Sequence, residues 1–234
     1  MKFAIIAAGE GSRLQNEGIT LPKPLVRIHG EAMIDRLIRI FRQNQAEEII
    51  IIVNTLNPKT EQHILSLKQQ GLADDIRLIV KSTPSSMHSF GEIAPYIGQE
   101  PFCLTTVDTI FNEKEFSNYI QYFKSSELDG CMAVTDFIDD EKPLYISTNN
   151  DLIITGFHDQ NENYTYISGG IYCLRFEAIK TLNNCLKTGQ SRMRNFQRAL
   201  VQDGQHLEAY PFSKILDIDH AEDILKAESF LSEI

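Results

Sequence analysis

Ile49-Ile50-Ile51-Ile52-Val53 is an unbroken run of β-branched residues. Such side chains are stiff in a helix and pack well on a pleated surface, so Glu48 to Val53 reads as a strand. A strand that is apolar on both faces has to be covered on both, as in the interior of a parallel sheet. The neighbouring segments supply what that requires. Phe3 to Ala7 is a second apolar strand, and Met33, Ile34, Leu37, Ile38 and Phe41 are spaced as one buried helix face within Ala32 to Phe41. Asn57-Pro58 signals a helix start running to about Lys68, followed by a strand at Asp75 to Lys81. A helix from Ser85 to Tyr96, a strand from Phe102 to Val107 and a helix from Glu113 to Lys124 continue the alternation. This rhythm predicts an α/β fold with a mixed, mostly parallel central sheet and helices on both faces.

From Gly130 to Leu174 the pattern changes to short strands: Cys131 to Phe137, Leu144 to Ser147, Ile153 to Phe157 and Tyr166 to Leu174. Helices at Phe176 to Leu186 and Met193 to Gln202, a strand at His206 to Pro211 and a helix from His220 to Leu231 complete the chain. No linker or repeat interrupts it, so residues 1–234 are expected to form one domain with a strand-rich part at about 130–174.

With 22 Lys and Arg against 32 Asp and Glu, the formal net charge is -10, which argues against a general binder of nucleic acid or anionic membrane. An anionic substrate must then be met by a local group of cations or a metal. Cys103, Cys131, Cys173 and Cys185 form no CxxC pair, and no window approaches a membrane span, so a reducing, cytoplasmic location is expected.

The first strand runs into Ala8-Gly9-Glu10-Gly11-Ser12-Arg13. Two glycines directly after a strand let backbone N–H groups approach a ligand, and an Arg with a nearby Lys suits a polyphosphate. Leu14 replaces the third glycine of a dinucleotide fingerprint, two prolines ahead argue against a helix starting there, and there is no Gly-Lys-Ser/Thr for a P-loop. Taken alone, the glycines could make a structural turn, and Arg13 or Lys23 could be a solvated cation.

The combination is more specific. Ala7-Ala8-Gly9-Glu10-Gly11-Ser12-Arg13-Leu14, then Pro22-Lys23-Pro24-Leu25, Gly30 and Met33-Ile34, resembles the signature of the nucleotidyltransferases that activate sugar phosphates and related phosphorylated alcohols. The resemblance implies a three-layer Rossmann-like fold and transfer of NMP from an NTP to a sugar 1-phosphate, with release of pyrophosphate. It implies that Ala7, Ala8, Gly9, Gly11, Ser12, Arg13 and Lys23 hold the triphosphate, and that Ser85 and Ser86 lie where the family contacts base and ribose. Arg13, Lys23 and Asp108 are the implied catalytic residues, and Mg²⁺ the implied cofactor.

Asp108 follows the Phe102 to Val107 strand, where ligands of parallel α/β sheets gather. Asp217 and Asp219 alternate on an extended segment and resemble the family's closing motif, so both are candidate metal ligands; Asp219 has a rival role as cap of the last helix. Glu222 and Asp223 read as first-turn acids. Gly169 and Gly170 in Ser168-Gly169-Gly170-Ile171-Tyr172 resemble the family's acceptor-binding glycines, with a bulge or close crossing as the structural alternative. The family's acceptor-phosphate lysine is missing: Gly156-Phe157-His158-Asp159-Gln160 stands at its place, Glu141-Lys142-Pro143 comes two strands too early, and Arg192 and Arg194 could supply the charge or be exposed helix residues. Without it, a phosphocholine-like alcohol phosphate is an alternative acceptor. A nucleotide-sugar-dependent glycosyltransferase lacks its Asp-x-Asp here, and a non-catalytic nucleotide-binding regulator would have lost residues that are all present. NTP and a small phosphorylated acceptor are the expected partners.

Overall fold

The computed structural model describes residues 1–139 and 141–234. The first half alternates β1 (Lys2–Ala7), α1 (Ser12–Asn16), the hairpin β2 (Arg27–Ile28) and β3 (Glu31–Ala32), α2 (Met33–Gln43), β4 (Ile49–Val53), α3 (Pro58–Gln69), β5 (Ile76–Val80), α4 (Ser86–Ile97) and β6 (Phe102–Thr106). Then come β7 (Thr109–Phe111), α5 (Glu113–Ser125), β8 (Gly130–Thr135), β9 (Tyr145–Thr148), β10 (Ile154–His158) and β11 (Tyr166–Leu174). The chain closes with α6 (Ala178–Lys187), α7 (Met193–Gln202), β12 (Leu207–Pro211), β13 (Ile215–Asp217) and α8 (Ala221–Ser232).

The central sheet runs β10-β9-β11-β6-β1-β4-β5, with β8 joining β11 to β12. β6, β1, β4 and β5 are mutually parallel, and β11 pairs antiparallel with β6, β8 and β9, so the sheet is mixed as the residue pattern predicts. The isoleucine run is indeed interior: β4 lies between β1 and β5, and all of Ile49 to Val53 is buried. On one face its odd-numbered members pack with Phe3, Phe41 and Phe116; on the other, Ile50 and Ile52 join Phe90, Phe102 and Phe196. Two apolar layers therefore hold the sheet between helices.

Register positions the site. Ile6 pairs with Thr106 and Ala7 with Val53, so the chain leaves β1, β4 and β6 at one sheet edge. A separate two-stranded sheet pairs Thr109 with Asp217 and Ile110 with Leu216, and Ile218 N–H donates to Asp108 O at 3.1 Å. That pairing brings the C-terminal Asp-Ile-Asp segment against Asp108. Under it, Leu14, Ile28, Ile110, Leu216, Ile218 and Phe230 form a third apolar cluster that docks α8 below the opening loop.

One expectation fails locally. A five-residue helix, Ser12–Asn16, does begin directly after Gly11, ahead of the prolines. A single turn ends well before Pro22, so the prolines constrain only the later part of the loop.

Candidate active site

Gly11 makes the turn out of β1 with φ +66°, a region that favours glycine, and a Cβ there would stand 3.0 Å from Lys23 Cβ. Both constraints have one consequence: the opening loop and the Pro22-Lys23-Pro24 segment lie against each other. Gly9 has nothing within 4 Å of where a Cβ would be, which leaves its backbone open to an approaching ligand. Lys23 opens a short 3-10 turn between the two prolines, which fix the backbone on either side.

From there Lys23 Nζ pairs with Asp108 Oδ2 and, at 2.7 Å, with Asp219 Oδ1. Arg13 Nη1 reaches the other Asp219 oxygen, also at 2.7 Å. Burial pushes the Lys23 ammonium down, but Asp108 and Asp219 outweigh it and hold the group up at about 12. Asp108 Oδ1 is buried without a hydrogen-bond partner.

These groups face a cleft of about 420 Å³ lined by Ala7, Ala8, Gly9, Gly11, Ser12, Arg13, Lys23, Ser85, Ser86, Asp108 and Asp219, with Thr83 and Ser89 on the far wall. All the residues predicted for the nucleotide are thus in one cavity. Ser85 caps α4, and its Oγ also meets His88 Nδ1 at 2.9 Å; Thr83 Oγ1 lies 2.6 Å from Ser89 Oγ.

A smaller cavity of about 160 Å³ adjoins, sharing Arg13 and Asp219, and Asp217 and Gly169 line it. Asp219 therefore borders both cavities. Among the described residues no three His, Cys, Asp or Glu converge into a ready-made metal cluster. The rival role of Asp219 is not seen: α8 is capped at His220, whose N–H donates to Asp223 Oδ2 at 2.7 Å, while the Asp219 carboxylate serves Lys23 and Arg13. Glu222 and Asp223 do sit in the first turn of α8.

Gly169 and Gly170 mark a register shift between β11 and β8, and Gly170 adopts φ +72°. A Cβ on Gly169 would come 2.2 Å from Ile215 Cδ1, so close packing of β13 is one reason for glycine there. A Cβ on Gly170 would face the Thr109 and Thr106 hydroxyls.

Several participants escape a reading of the residues alone. Glu141 lines the smaller cavity and lies 3.7 Å from Arg13. Glu17 accepts from His220 at 2.6 Å and from Ala221 N–H at 2.7 Å, tying the opening loop to α8; donating to the Glu17 carboxylate raises the His220 ring above its ordinary value. Arg192 is exposed as expected, but Arg194 is half-buried, because its guanidinium is committed to Asp159 and to Lys142 O.

A loop of small residues after the first strand, two cations and two strand-end aspartates on a mixed α/β sheet define a nucleotide-handling enzyme fold of the transferase type. The chain belongs to the Nucleotidyl transferase family, whose model matches residues 2–234. It is 23% identical over 193 residues, 74% of each chain, to a Bacillus subtilis (strain 168) protein assigned as a glucose-1-phosphate cytidylyltransferase. Among solved structures it resembles one from Bacillus anthracis, assigned as a glucose-1-phosphate thymidylyltransferase and determined with sucrose, at TM-score 0.85 and 17% identity over 100% of this chain and 96% of that one. It also resembles the inositol-1-phosphate CTP transferase of T. maritima, at TM-score 0.79 and 19% identity over 99% and 96%. All four cysteines are free and buried, and no helix among the described residues is long and apolar enough to cross a membrane.

Proposed function

We propose that the chain transfers NMP from an NTP to a small phosphorylated acceptor, a sugar 1-phosphate in the first instance, and releases pyrophosphate. The observation that carries this reading is the convergence of Lys23, Arg13, Asp108 and Asp219 on a cleft walled by the Gly9 to Ser12 backbone. The triphosphate lies along the loop. An acceptor phosphate oxygen forms a bond to the α-phosphorus as the bond from that phosphorus to the β-bridging oxygen breaks, and pyrophosphate leaves with the electron pair. A phosphate monoester, with a second pKa near about 6, is already largely dianionic at neutral pH, so no general base is needed. What the protein contributes is alignment and neutralisation of charge: backbone N–H groups and Arg13 on the leaving phosphates, Lys23 as a point charge.

The donor set fits Mg²⁺. A hard octahedral ion takes one or two protein carboxylates besides phosphates and water. Asp108 offers a buried oxygen without a partner, Asp219 lies across the same lysine, and Asp217 borders the acceptor side. When bound there, the ion would supply neutralisation of the polyphosphate charge.

A second acceptor class is favoured by the charge of the smaller cavity. Asp139, Glu141, Asp217, Asp219, Glu222 and Asp223 line it against Arg13, Lys226 and His220. Arg13 and Lys226 already have carboxylate partners, and the His220 ring is hydrogen-bonded to Glu17; Lys226 alone meets Asp139 and Glu222 at 3.0 Å and Asp223 at 3.2 Å. Such a wall suits an acceptor carrying a positive group beyond its phosphate, as phosphocholine does. The deciding experiment presents each NTP with glucose 1-phosphate, inositol 1-phosphate, phosphocholine and phosphoethanolamine, and identifies products by mass. Nucleoside-diphosphate sugar supports the first reading and a cytidylylated amino alcohol the second; absence of any nucleotidylated product and of pyrophosphate across all pairs would refute both.

A further inference from the structure

The opening loop is held by a side chain outside the signature residues. Asn54 is the first residue after β4, and its Nδ2 donates to Gly9 O at 2.8 Å and to Ala8 O at 3.3 Å. Its own Oδ1 is occupied as well, accepting from Leu56 N–H at 3.0 Å and Asn57 N–H at 3.2 Å. The amide can therefore turn neither away nor over without losing a full set of partners. Asn54 lines a second hollow with Val53, Leu56 and Thr60, which shares Gly9, Glu10, Ser12 and Lys23 with the main cleft but not Thr83, Ser85 and Ser89.

Peptide geometry turns this hold into a statement about the cleft. In a trans peptide the C=O and the following N–H point in opposite directions within one plane, and no peptide bond among the described residues is cis. The Ala8 carbonyl shares its plane with Gly9 N–H, and the Gly9 carbonyl with Glu10 N–H. Drawing both carbonyls toward Asn54 directs both N–H groups away from it, and among the described residues no protein group accepts from either.

Resting on the nucleotidyltransferase reading above, we infer that Asn54 is a positioning residue for the donor site: it fixes the two peptide planes whose N–H groups receive the triphosphate. It touches no substrate itself. Without the side-chain donor these planes are free to rotate, and each rotation would present a carbonyl oxygen to a phosphate. Asn54→Asp is the sharper perturbation, since it keeps the size and the Oδ1 contacts but sets a carboxylate oxygen against two carbonyls.

The test screens binding of Mg-bound ATP, GTP, CTP, UTP and dTTP by calorimetry and then compares the nucleotide that binds, with steady-state kinetics and melting temperature, on the full chain and on Asn54→Asp and Asn54→Ala. The expected result is a nucleotide affinity at least tenfold weaker in Asn54→Asp and weaker to a lesser degree in Asn54→Ala. KM for the NTP should rise in parallel, with KM for the acceptor unchanged. In the unaltered protein, amide exchange at Gly9 and Glu10 should slow when Mg–nucleotide binds, a readout that needs no variant to fold. Equal nucleotide affinity in all three proteins, or Gly9 and Glu10 amides that stay unprotected in the complex, would overturn the role of Asn54. Failure of the unaltered protein to bind any nucleotide would instead refute the nucleotidyltransferase reading.

Discussion

Replacing Lys23 by Met keeps most of the side-chain volume and removes the charge between Asp108 and Asp219. The side chains of Lys23 and Asp108 are only 11% and 20% exposed, so their pairing is less screened than that of an ordinary surface pair, whereas Asp219 at 41% is more open to solvent. A rise of the Lys23 ammonium from 10.5 to about 12, at about 1.4 kcal/mol per pH unit, corresponds to about 2 kcal/mol of net stabilisation at neutral pH. Because the folded value lies above the unfolded one, that stabilisation is complete below about pH 10.5 and is lost as pH rises toward 12. In a chain of 234 residues, a loss of about 2 kcal/mol lowers Tm by about 4–8 °C. Differential scanning calorimetry at pH 7.5 in chelator should show that drop in Lys23→Met. Millimolar Mg²⁺ without nucleotide should then recover part of it, because two carboxylates are left without their lysine, and should leave the unaltered protein nearly unchanged. Identical Tm values at pH 7.5, or an equal response of both proteins to Mg²⁺, would refute the reasoning.

Asp108→Asn should keep the fold, since it preserves shape, yet cost on the order of 10²-fold or more in turnover; normal pyrophosphate release would remove Asp108 from the site. Gly169→Ala forces a methyl onto Ile215 Cδ1 and should destabilise by about 1–3 kcal/mol in denaturant unfolding, with the site weakened through β13. Asn112→Ala removes the side chain that accepts from Lys114 and Glu115 N–H at the start of α5 and should cost about 1 kcal/mol while KM for nucleotide stays unchanged.

Local pattern carries most of the fold. The isoleucine run and the Asn57-Pro58 start of α3 each have a cause within a few residues, and these elements and α4 lie close to where their residues predict. β7 does not show in the pattern and β13 shows only as an extended segment around Asp217, because three-residue strands have almost no periodicity and exist only through pairing between distant segments. The cleft is legible in its parts: glycines, Arg13, Lys23 and the strand-end Asp108 are readable from residue type and place. Their assembly is not, since Lys23 and Asp219 are 196 residues apart and their pairing depends on β13 docking beside β7. Asn54 escapes because an Asn after a strand looks like turn chemistry, and its use emerges only when the carbonyls it holds are known. Glu141 is far from the opening loop in sequence, yet the chain folds it against Arg13.

The most direct test of the central claim is pyrophosphate release with Mg²⁺ over a grid of NTPs and phosphorylated sugars and alcohols, run in parallel on the unaltered protein, Lys23→Met and Asp108→Asn. Acceptor-dependent release is expected for at least one pair, reduced on the order of 10²-fold in both variants. Silence across the grid, or release that survives both substitutions, would contradict that claim.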